Sequence, residues 1–593
     1  MDKLNSVLVI GAGVGGMKAS LDLAEAGFKV YLCDRSSAIG GTLIRVDKWF
    51  PDNHCGLCQM LPVFSADNSS RFCLRRGLTH PDIELMPLTE VKEVAGQAGD
   101  FRIGVTSRAA GVIPELCISC GLCTEVCPVE TASEFNEGLS PRKAIYTVHP
   151  GILPYVYTVD WDSCTKCGAC VAKCPTQAIR LREMEMIKQL RVGAVILATG
   201  FEKFDPALAS QYGYQRYPNV LTGIELERII SPGGPTDGDL LRPSDNRTPK
   251  SIAFLQCVGS RDNRKDYCSS VCCMFALKEA TLLKQANPEI DIHIFYMDIR
   301  AFGKDHYRYY QRARDELGIK FIRGRVPVIR EDSPTKNLVL TTIEENEASI
   351  KRQFELVVLS VGQTPPPRFQ ELCQVLGVEL NRWGFCRSGL FSPVNTTREG
   401  IYVCGSASAP KDIADTMVEA GAAADRASGW LERRMISTTL SEKTVESAAE
   451  KEETPRLSVL LCDCGQEISS VLDLEELAES SRQLPDITCV MRIPFLCDDD
   501  VWVKVDQELR KHKVNRLVIG ACSHYFNIHL AKLGFNSSSA QIVNLREHIA
   551  WVHRDNRQAA TDKAKNLLAM AVELVRALEP EPVPPMSIHP RFP

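Results

Sequence analysis

Ser6-Val7-Leu8-Val9-Ile10-Gly11-Ala12-Gly13-Val14-Gly15-Gly16, residues 6–16, is the stretch that decides the fold class. The unbroken apolar run Val7–Ile10 reads as a strand covered on both faces, and the glycines after it open an Ala/Leu-rich helix. Phe28–Leu32 returns as a second strand that ends near Asp34. Strand, glycine turn, helix and strand make a βαβ unit, which implies a parallel sheet. Gly11, Gly13 and Gly16 let the backbone approach a pyrophosphate at the helix N-terminus, and Asp34 stands where an acid accepts hydrogen bonds from an adenosine ribose. The alternative is a glycine turn with nothing bound.

At 593 residues the chain exceeds one core, and its length suggests about three or four domains. It is 44% hydrophobic and 24% charged, with a net charge of −5, which argues against a nucleic-acid partner. No apolar run approaches the roughly 20 residues that span a bilayer. The charged start Met1–Ser6 runs straight into a strand, without a secretory signal core. We therefore expect a cytoplasmic protein, where thiols are kept reduced. There the 24 cysteines read as metal ligands, because sixteen fall in four groups and only eight are scattered.

The clearest groups are Cys117-x2-Cys120-x2-Cys123-x3-Cys127-Pro128 and Cys164-x2-Cys167-x2-Cys170-x3-Cys174-Pro175. Three thiolates on a tight loop wrap one cluster, and the proline carries the fourth to the other cluster. One [4Fe–4S] cluster is thus expected on Cys117, Cys120, Cys123 and Cys174, and a second on Cys164, Cys167, Cys170 and Cys127. Zinc also takes thiolate quartets, but as two CxxC pairs per ion rather than four cysteines in one short run.

The α/β pattern resumes at Gly193–Gly200 and again at Ser251–Leu255, Leu356–Val361 and Ile401–Val403. We expect an FAD-binding domain over 1–105, 186–248 and 366–436, interrupted by a ferredoxin domain over 106–185 and a second nucleotide-type domain over 249–365. A Ser/Thr/Glu/Lys-rich linker over 437–456, a small α/β iron–sulfur domain over 457–580 and a proline-rich tail over 581–593 complete the chain. Ile39-Gly40-Gly41-Thr42, Ala198-Thr199-Gly200 and Gly400–Gly405 together resemble the two-dinucleotide-domain flavoproteins of the thioredoxin reductase-like group. The resemblance implies FAD at the first glycine loop. It also implies an aspartate contact to the flavin chain beside Gly405, where this sequence has Ser406.

In that group a second GxGxxG binds NAD(P)H. Here the strand Ser251–Leu255 leads instead to Cys257-Val258-Gly259, then Cys268-x3-Cys272-Cys273, so the nicotinamide loop looks lost. Spacing alone leaves two readings, cluster ligands or buried thiols. The run Cys257–Ala280, with WFPDNHCGLC at 49–58, EFNEGLSPRKAIY at 134–146 and APKDIADTMVEAGAAADRA at 409–427, resembles the A subunit of heterodisulfide reductase over about residues 1–435. The resemblance implies an atypical [4Fe–4S] cluster on Cys257, Cys268, Cys272 and Cys273 near the flavin. It also implies that Lys278 lies by the flavin N5 edge rather than being a solvated helix lysine.

LLCDCGQEI, HKVNRLVIGACS and NLREHIAWVHRDNR resemble that family's N-terminal cluster domain, here placed after the core and without the family's second ferredoxin unit. Cys462, Cys464, Cys497 and Cys522 are its candidate ligands, with Ile549 where the family has a further cysteine. Cys55 and Cys58 could form a redox dithiol. Cys33, Cys73, Cys373, Cys386, Cys404 and Cys489 read as buried side chains, and His548 and His553 as packing or capping residues. The expectation is a flavin and iron–sulfur oxidoreductase component, dimeric within a heterodisulfide reductase-like complex. Its partners would be a hydrogenase- or dehydrogenase-linked donor, terminal reductase subunits and ferredoxin, and the family implies electron bifurcation or confurcation at the flavin. A non-bifurcating relay is the alternative. A free-standing NAD(P)H:ferredoxin oxidoreductase fits poorly with the lost loop.

Overall fold

The computed structural model describes residues 4–48, 80–148, 154, 156–182, 184–344, 349–431, 454–496, 499–522, 530, 533, 535 and 539–578. Cys55, Cys58, Cys73 and Cys497, most of the expected linker and the expected tail lie outside them. Two compact units are present. The first comprises 1–112, 123–172 and 179–437, and the second 113–122, 173–178 and 438–593. The cysteine-rich insert is thus shared between units.

In the first unit, Ser6–Ile10 is fully buried and pairs in parallel with Lys29–Cys33 on one side and Ala194–Leu197 on the other. Ile83–Met86 and Ile401–Val403 complete a five-stranded parallel sheet in the order 401–403, 194–197, 6–10, 29–33, 83–86. The helix Val14–Glu25 packs against it through Met17, Leu21 and Leu23. An antiparallel three-stranded sheet, Thr89–Gln97, Asp100–Arg108 and Glu185–Val192, covers one side, joined to the first by Phe101, Ile103 and Val192. Asp100–Arg108 and Glu185–Val192 run side by side in full register from Phe101↔Val192 to Arg108↔Glu185. The ferredoxin insert therefore leaves and returns at one place, between 108 and 185.

The second nucleotide-type sheet has seven strands. Val220–Thr222, Leu356–Val361, Ser251–Val258, Asp291–Tyr296 and Lys320–Asp332 are parallel, and Asn337–Glu344 and Ser349–Phe354 extend it as an antiparallel meander. The helix Gly223–Ile230 starts with a capping box, in which Thr222 and Glu225 bond each other's backbone N–H groups. In the second unit, Ile487–Ile493, Leu457–Cys462, Arg516–Ala521 and Ala540–Asn544 form a parallel four-stranded sheet. Leu461, Val518, Leu568 and Val572 belong to its core. Among the described residues no helix is long and apolar enough to cross a membrane.

Phe254 is fully buried in the seven-stranded sheet. Phe254→Ala should cost about 3–5 kcal/mol through lost burial and the cavity left behind. A lowered midpoint of thermal or denaturant unfolding is the measurement.

Candidate flavin and iron–sulfur sites

Strands 6–10, 29–33 and 83–86 succeed one another in one direction across the first sheet, while 194–197 and 401–403 lie in the other. The turns after Ile10 and Leu197 therefore part at the strands' carboxyl ends, the position where open parallel sheets bind ligands. A cavity of about 1260 Å³ opens there, lined by Gly11, Gly13, Asp34, Gly40, Gly41, Thr199, Gly200, Gly405 and Ser406. A Cβ on Gly16 would lie 1.8 Å from the Gly11 carbonyl oxygen, so this glycine seats the helix on the turn. Gly13 has nothing within 4 Å of that position, which leaves its face open to a ligand. The buried Thr199 hydroxyl on the cavity wall has no hydrogen-bond partner among the described residues. An open glycine face and an orphaned hydroxyl fit a bound dinucleotide.

Asp34 also braces the loop, accepting the Ala12 N–H at 2.7 Å and the Ser36 N–H at 2.8 Å. Burial raises its carboxyl above the usual range, and these two bonds oppose that. At the far strand, the Gly405 N–H donates to Glu419 at 2.9 Å, and Lys411 pairs with Glu419. A carboxylate thus reaches the Gly405 turn from the helix Ile413–Ser428, although position 406 is serine. Glu137, from the insert, also faces the cavity and pairs with Arg45 at 2.6 Å and with Lys203.

Lys278 and Cys272 lie on one helix, Cys272–Ala286, and both line the cavity. Lys278 pairs with Glu227, and both side chains are 1% exposed. Glu227 also accepts the Asp47 N–H at 2.8 Å, and the ammonium stands 4.7 Å from the Phe275 ring centre. Glu279 is wholly buried beside them. Burial holds its carboxyl well above the usual range, the Lys278 charge opposes this and Glu227 adds to it. Sequence reading missed Glu227, Glu279, Glu419 and Lys411. No local pattern marks Glu227, which is buried between Leu226 and Arg228 in a short helix.

The seven-stranded sheet reverses direction between Ser251–Val258 and Leu356–Val361, where a nicotinamide loop would sit. Cys257 lies at the carboxyl end of the strand Ser251–Val258, in its register irregularity, with φ +63°. The space a Cβ on Gly259 would need is filled by the Phe204 ring at 2.2 Å, and the Ser260 and Ser269 hydroxyls, 2.5 Å apart, close the loop from behind. The turn leaves no open backbone face for a pyrophosphate. It gathers thiols instead. Cys272 is raised by its hydrogen bond with Cys273, by burial and by the charges of Cys273, Cys257 and Cys268. Cys273 is lowered to about 7, chiefly by the bond from Cys272. Arg261 approaches Cys257 and pairs with Asp298. Four mutually interacting thiols, one at a helix N-terminus that favours thiolate, fit an iron–sulfur donor set.

In the insert, Cys127, Cys164, Cys167 and Cys170 line one small cavity with Val129, Val159 and Leu181. That is the grouping expected when the fourth cysteine of one run crosses to the other. In the second unit, Cys117 and Cys174 both raise the Cys120 thiol, after burial, as does Glu467. Cys123 is buried on the short helix Leu122–Glu125. The four-stranded sheet reverses direction between Leu457–Cys462 and Arg516–Ala521. Cys462, Cys464 and Cys522 meet there, and Cys464 rises to about 12, first through its bond with Cys462. Ile549 is fully buried core. Cys33, Cys373, Cys386 and Cys404 are buried, whereas Cys489 is only half-buried.

Fold and sites define an electron-transfer flavoprotein with inserted iron–sulfur centres, and the comparisons agree. The FAD binding domain family matches residues 6–45, and the 4Fe-4S dicluster domain family matches residues 116–179. The iron–sulfur A subunit of the CoB–CoM heterodisulfide reductase of Methanocaldococcus jannaschii is 43% identical over 429 residues, covering 71% of this chain and 64% of that protein. The A subunit of the H(2)/formate:CoB-CoM heterodisulfide,ferredoxin reductase of Methanococcus maripaludis is 40% identical over 454 residues, covering 75% and 67%. That of the ferredoxin:CoB-CoM heterodisulfide reductase of Methanosarcina acetivorans is 36% identical over 528 residues, covering 82% and 63%. The chain thus spans about two thirds of the length of these relatives. The thioredoxin reductase of Lactococcus lactis, 14% identical, covers 72% of this chain and 98% of its own length with a TM-score of 0.39. This chain belongs to the family of heterodisulfide reductase A subunits, and its cofactors are FAD and [4Fe–4S] clusters.

Gly16→Val places side-chain atoms against the Gly11 carbonyl. Overpacking of about 1–3 kcal/mol should lower FAD retention about tenfold or more at unchanged iron content. The flavin-to-protein ratio after gel filtration checks it.

Proposed function

We propose that this chain is the flavin-bearing electron-splitting component of a heterodisulfide reductase-like complex. The observation that carries the reading is the helix Cys272–Ala286, which presents Cys272 and Lys278 to one cavity. FAD accepts electrons in pairs and can release them singly, and clusters carry them one at a time. A four-thiol site that reaches the flavin cavity through Cys272 provides a one-electron exit beside a two-electron carrier. In this reading Gly11, Gly13, Gly16, Asp34, Gly40, Gly41, Thr199, Gly200, Gly405 and Ser406 hold FAD, and Cys257, Cys268, Cys272 and Cys273 hold the adjacent cluster. The insert's eight cysteines hold two more, and Cys462, Cys464 and Cys522, with Cys497, a fourth.

Lys278 keeps a positive charge at the flavin cavity, and Glu227 holds it there at almost no exposure. Such a charge favours the more negative, reduced ligand. For a two-electron couple about 30 mV corresponds to roughly 1.4 kcal/mol, so one buried ion pair suffices to reorder the two electron steps. The name of the Methanococcus maripaludis relative sets ferredoxin beside the heterodisulfide on the accepting side, which supports splitting, whereas that of the Methanosarcina acetivorans relative sets ferredoxin on the donating side.

Spectroelectrochemical titration of the purified holoprotein should give crossed one-electron flavin potentials. Uncrossed steps would establish the relay reading in its place. Lys278→Met should shift the flavin midpoint negative. It should also cost about 3–5 kcal/mol in stability, because Glu227 is left buried and unpaired. The double variant Lys278→Met/Glu227→Gln should regain most of that stability while keeping the shifted potential, a separation readable by melting and redox titration of the same samples.

A further inference from the structure

Arg546 is the largest fully buried side chain among the described residues, at 1% exposure. It follows the strand Ala540–Asn544, whose neighbour Arg516–Ala521 ends beside Cys522. Its Nη1 donates to the Ile118 carbonyl at 2.5 Å and to the Cys464 sulfur at 3.1 Å. Nη2 pairs with Glu547 at 2.9 Å, and the guanidinium stands 5.0 Å from the Trp551 ring centre. Ile118 lies between Cys117 and Cys120, so one cation touches two cysteine-bearing loops. A Cβ on Gly465 would meet the Phe495 ring at 2.8 Å, and Ile118 Cδ1 lies at ordinary contact distance from the same position, 3.4 Å.

A guanidinium buried this deeply costs several kcal/mol unless its surroundings are negative. Glu547 supplies one charge. A second is supplied when Cys464 is a thiolate ligand, since a cluster cage carries net negative charge that grows on reduction. Hydrogen bonds and positive charge at cluster sulfur favour the reduced form and raise the potential.

We propose that Arg546 is a positioning residue that joins the first ferredoxin loop and the C-terminal cysteine site in one electron-transfer junction. Arg546 raises the potential of the cluster on Cys462, Cys464 and Cys522, which favours an electron's passage from the ferredoxin loop to the C-terminal site, one centre being oxidised as the other is reduced with no proton required. Arg546 also clamps the Ile118 peptide, which fixes the distance between them. The proposal rests on both cysteine sets holding clusters.

The test is an EPR-monitored redox titration of the full-length holoprotein, with the C-terminal signal assigned by its loss in Cys522→Ser. At the wild-type midpoint, Arg546→Met should shift the oxidised-to-reduced ratio of that signal about tenfold toward oxidised, which for one electron is about 59 mV. Arg546→Lys keeps the charge without the planar fork and should hold the ratio within about threefold. Both variants should speed hydrogen exchange in residues 113–122. Arg546→Lys keeps the test decisive if Arg546→Met does not fold, because unchanged exchange of residues 113–122 in that variant overturns the clamp. A C-terminal cluster present at an unchanged midpoint in Arg546→Met overturns the junction alone. Absence of that cluster from wild-type protein overturns the underlying cluster assignment as well.

Discussion

Where neighbouring strands of a parallel sheet send their connections in opposite directions, the loops at their carboxyl ends part and leave a crevice. This chain meets that constraint three times. The crevices lie after Ile10 and Leu197, after Val258 and Val361, and after Cys462 and Ala521. Every candidate site outside the inserted ferredoxin motif sits at one of them. The strands supply rigid, fully buried floors, and the loops above supply glycine in the first case and cysteine in the other two. The ferredoxin insert obeys a different rule. It hangs from two paired antiparallel strands, and so can be accommodated without disturbing the sheets.

Burial then sets the electrostatics. Lys278 with Glu227, Arg261 with Asp298 and Arg546 with Glu547 each place a cation–carboxylate pair beside a redox site. Two of these cations are almost wholly inaccessible. In water such pairs would contribute little. In an interior of low effective dielectric the same charges act strongly on any group that gains an electron. Cys257 and Cys464 show the complementary effect. Their thiols are pushed up to about 11 and about 12, so metal binding at either site must displace protons.

The parts legible in the sequence are those written in short, contiguous spacing. The βαβ start and the ferredoxin runs need only a dozen or so neighbouring residues to be recognised, and the strand–turn–helix–strand order of the first is present as read. The grouping of Cys257 with Cys268, Cys272 and Cys273 was ambiguous on spacing, because it depends on a positive φ and a register shift at the end of the strand Ser251–Val258. Glu227, Glu279, Glu419 and Arg546 were not legible. Glu227 and Arg546 are single charges whose partners, Lys278 and the Ile118 carbonyl, lie far off in the chain, and local pattern carries no record of such a pair. Ser406 illustrates the same limit from the other side. The expected aspartate is absent, yet Glu419 brings a carboxylate to the same turn from a helix thirteen residues further on.

The second crevice shows how one architecture changes its chemistry. A nicotinamide dinucleotide needs an open glycine turn at a helix N-terminus, where backbone N–H groups and the helix dipole meet its phosphates. Here the Phe204 ring fills the space at Gly259, and Cys272 and Cys273 occupy the first helical turn. The same dipole that would have bound phosphate now favours thiolate. The helix start keeps its anion-binding character, with fixed thiols in place of a diffusible cofactor's phosphate. Under the proposed assignment of those thiols to a cluster, a one-electron carrier stands where a hydride donor would otherwise sit and meets the flavin cavity through Cys272. That exchange needs no change in the strands of the sheet beneath it.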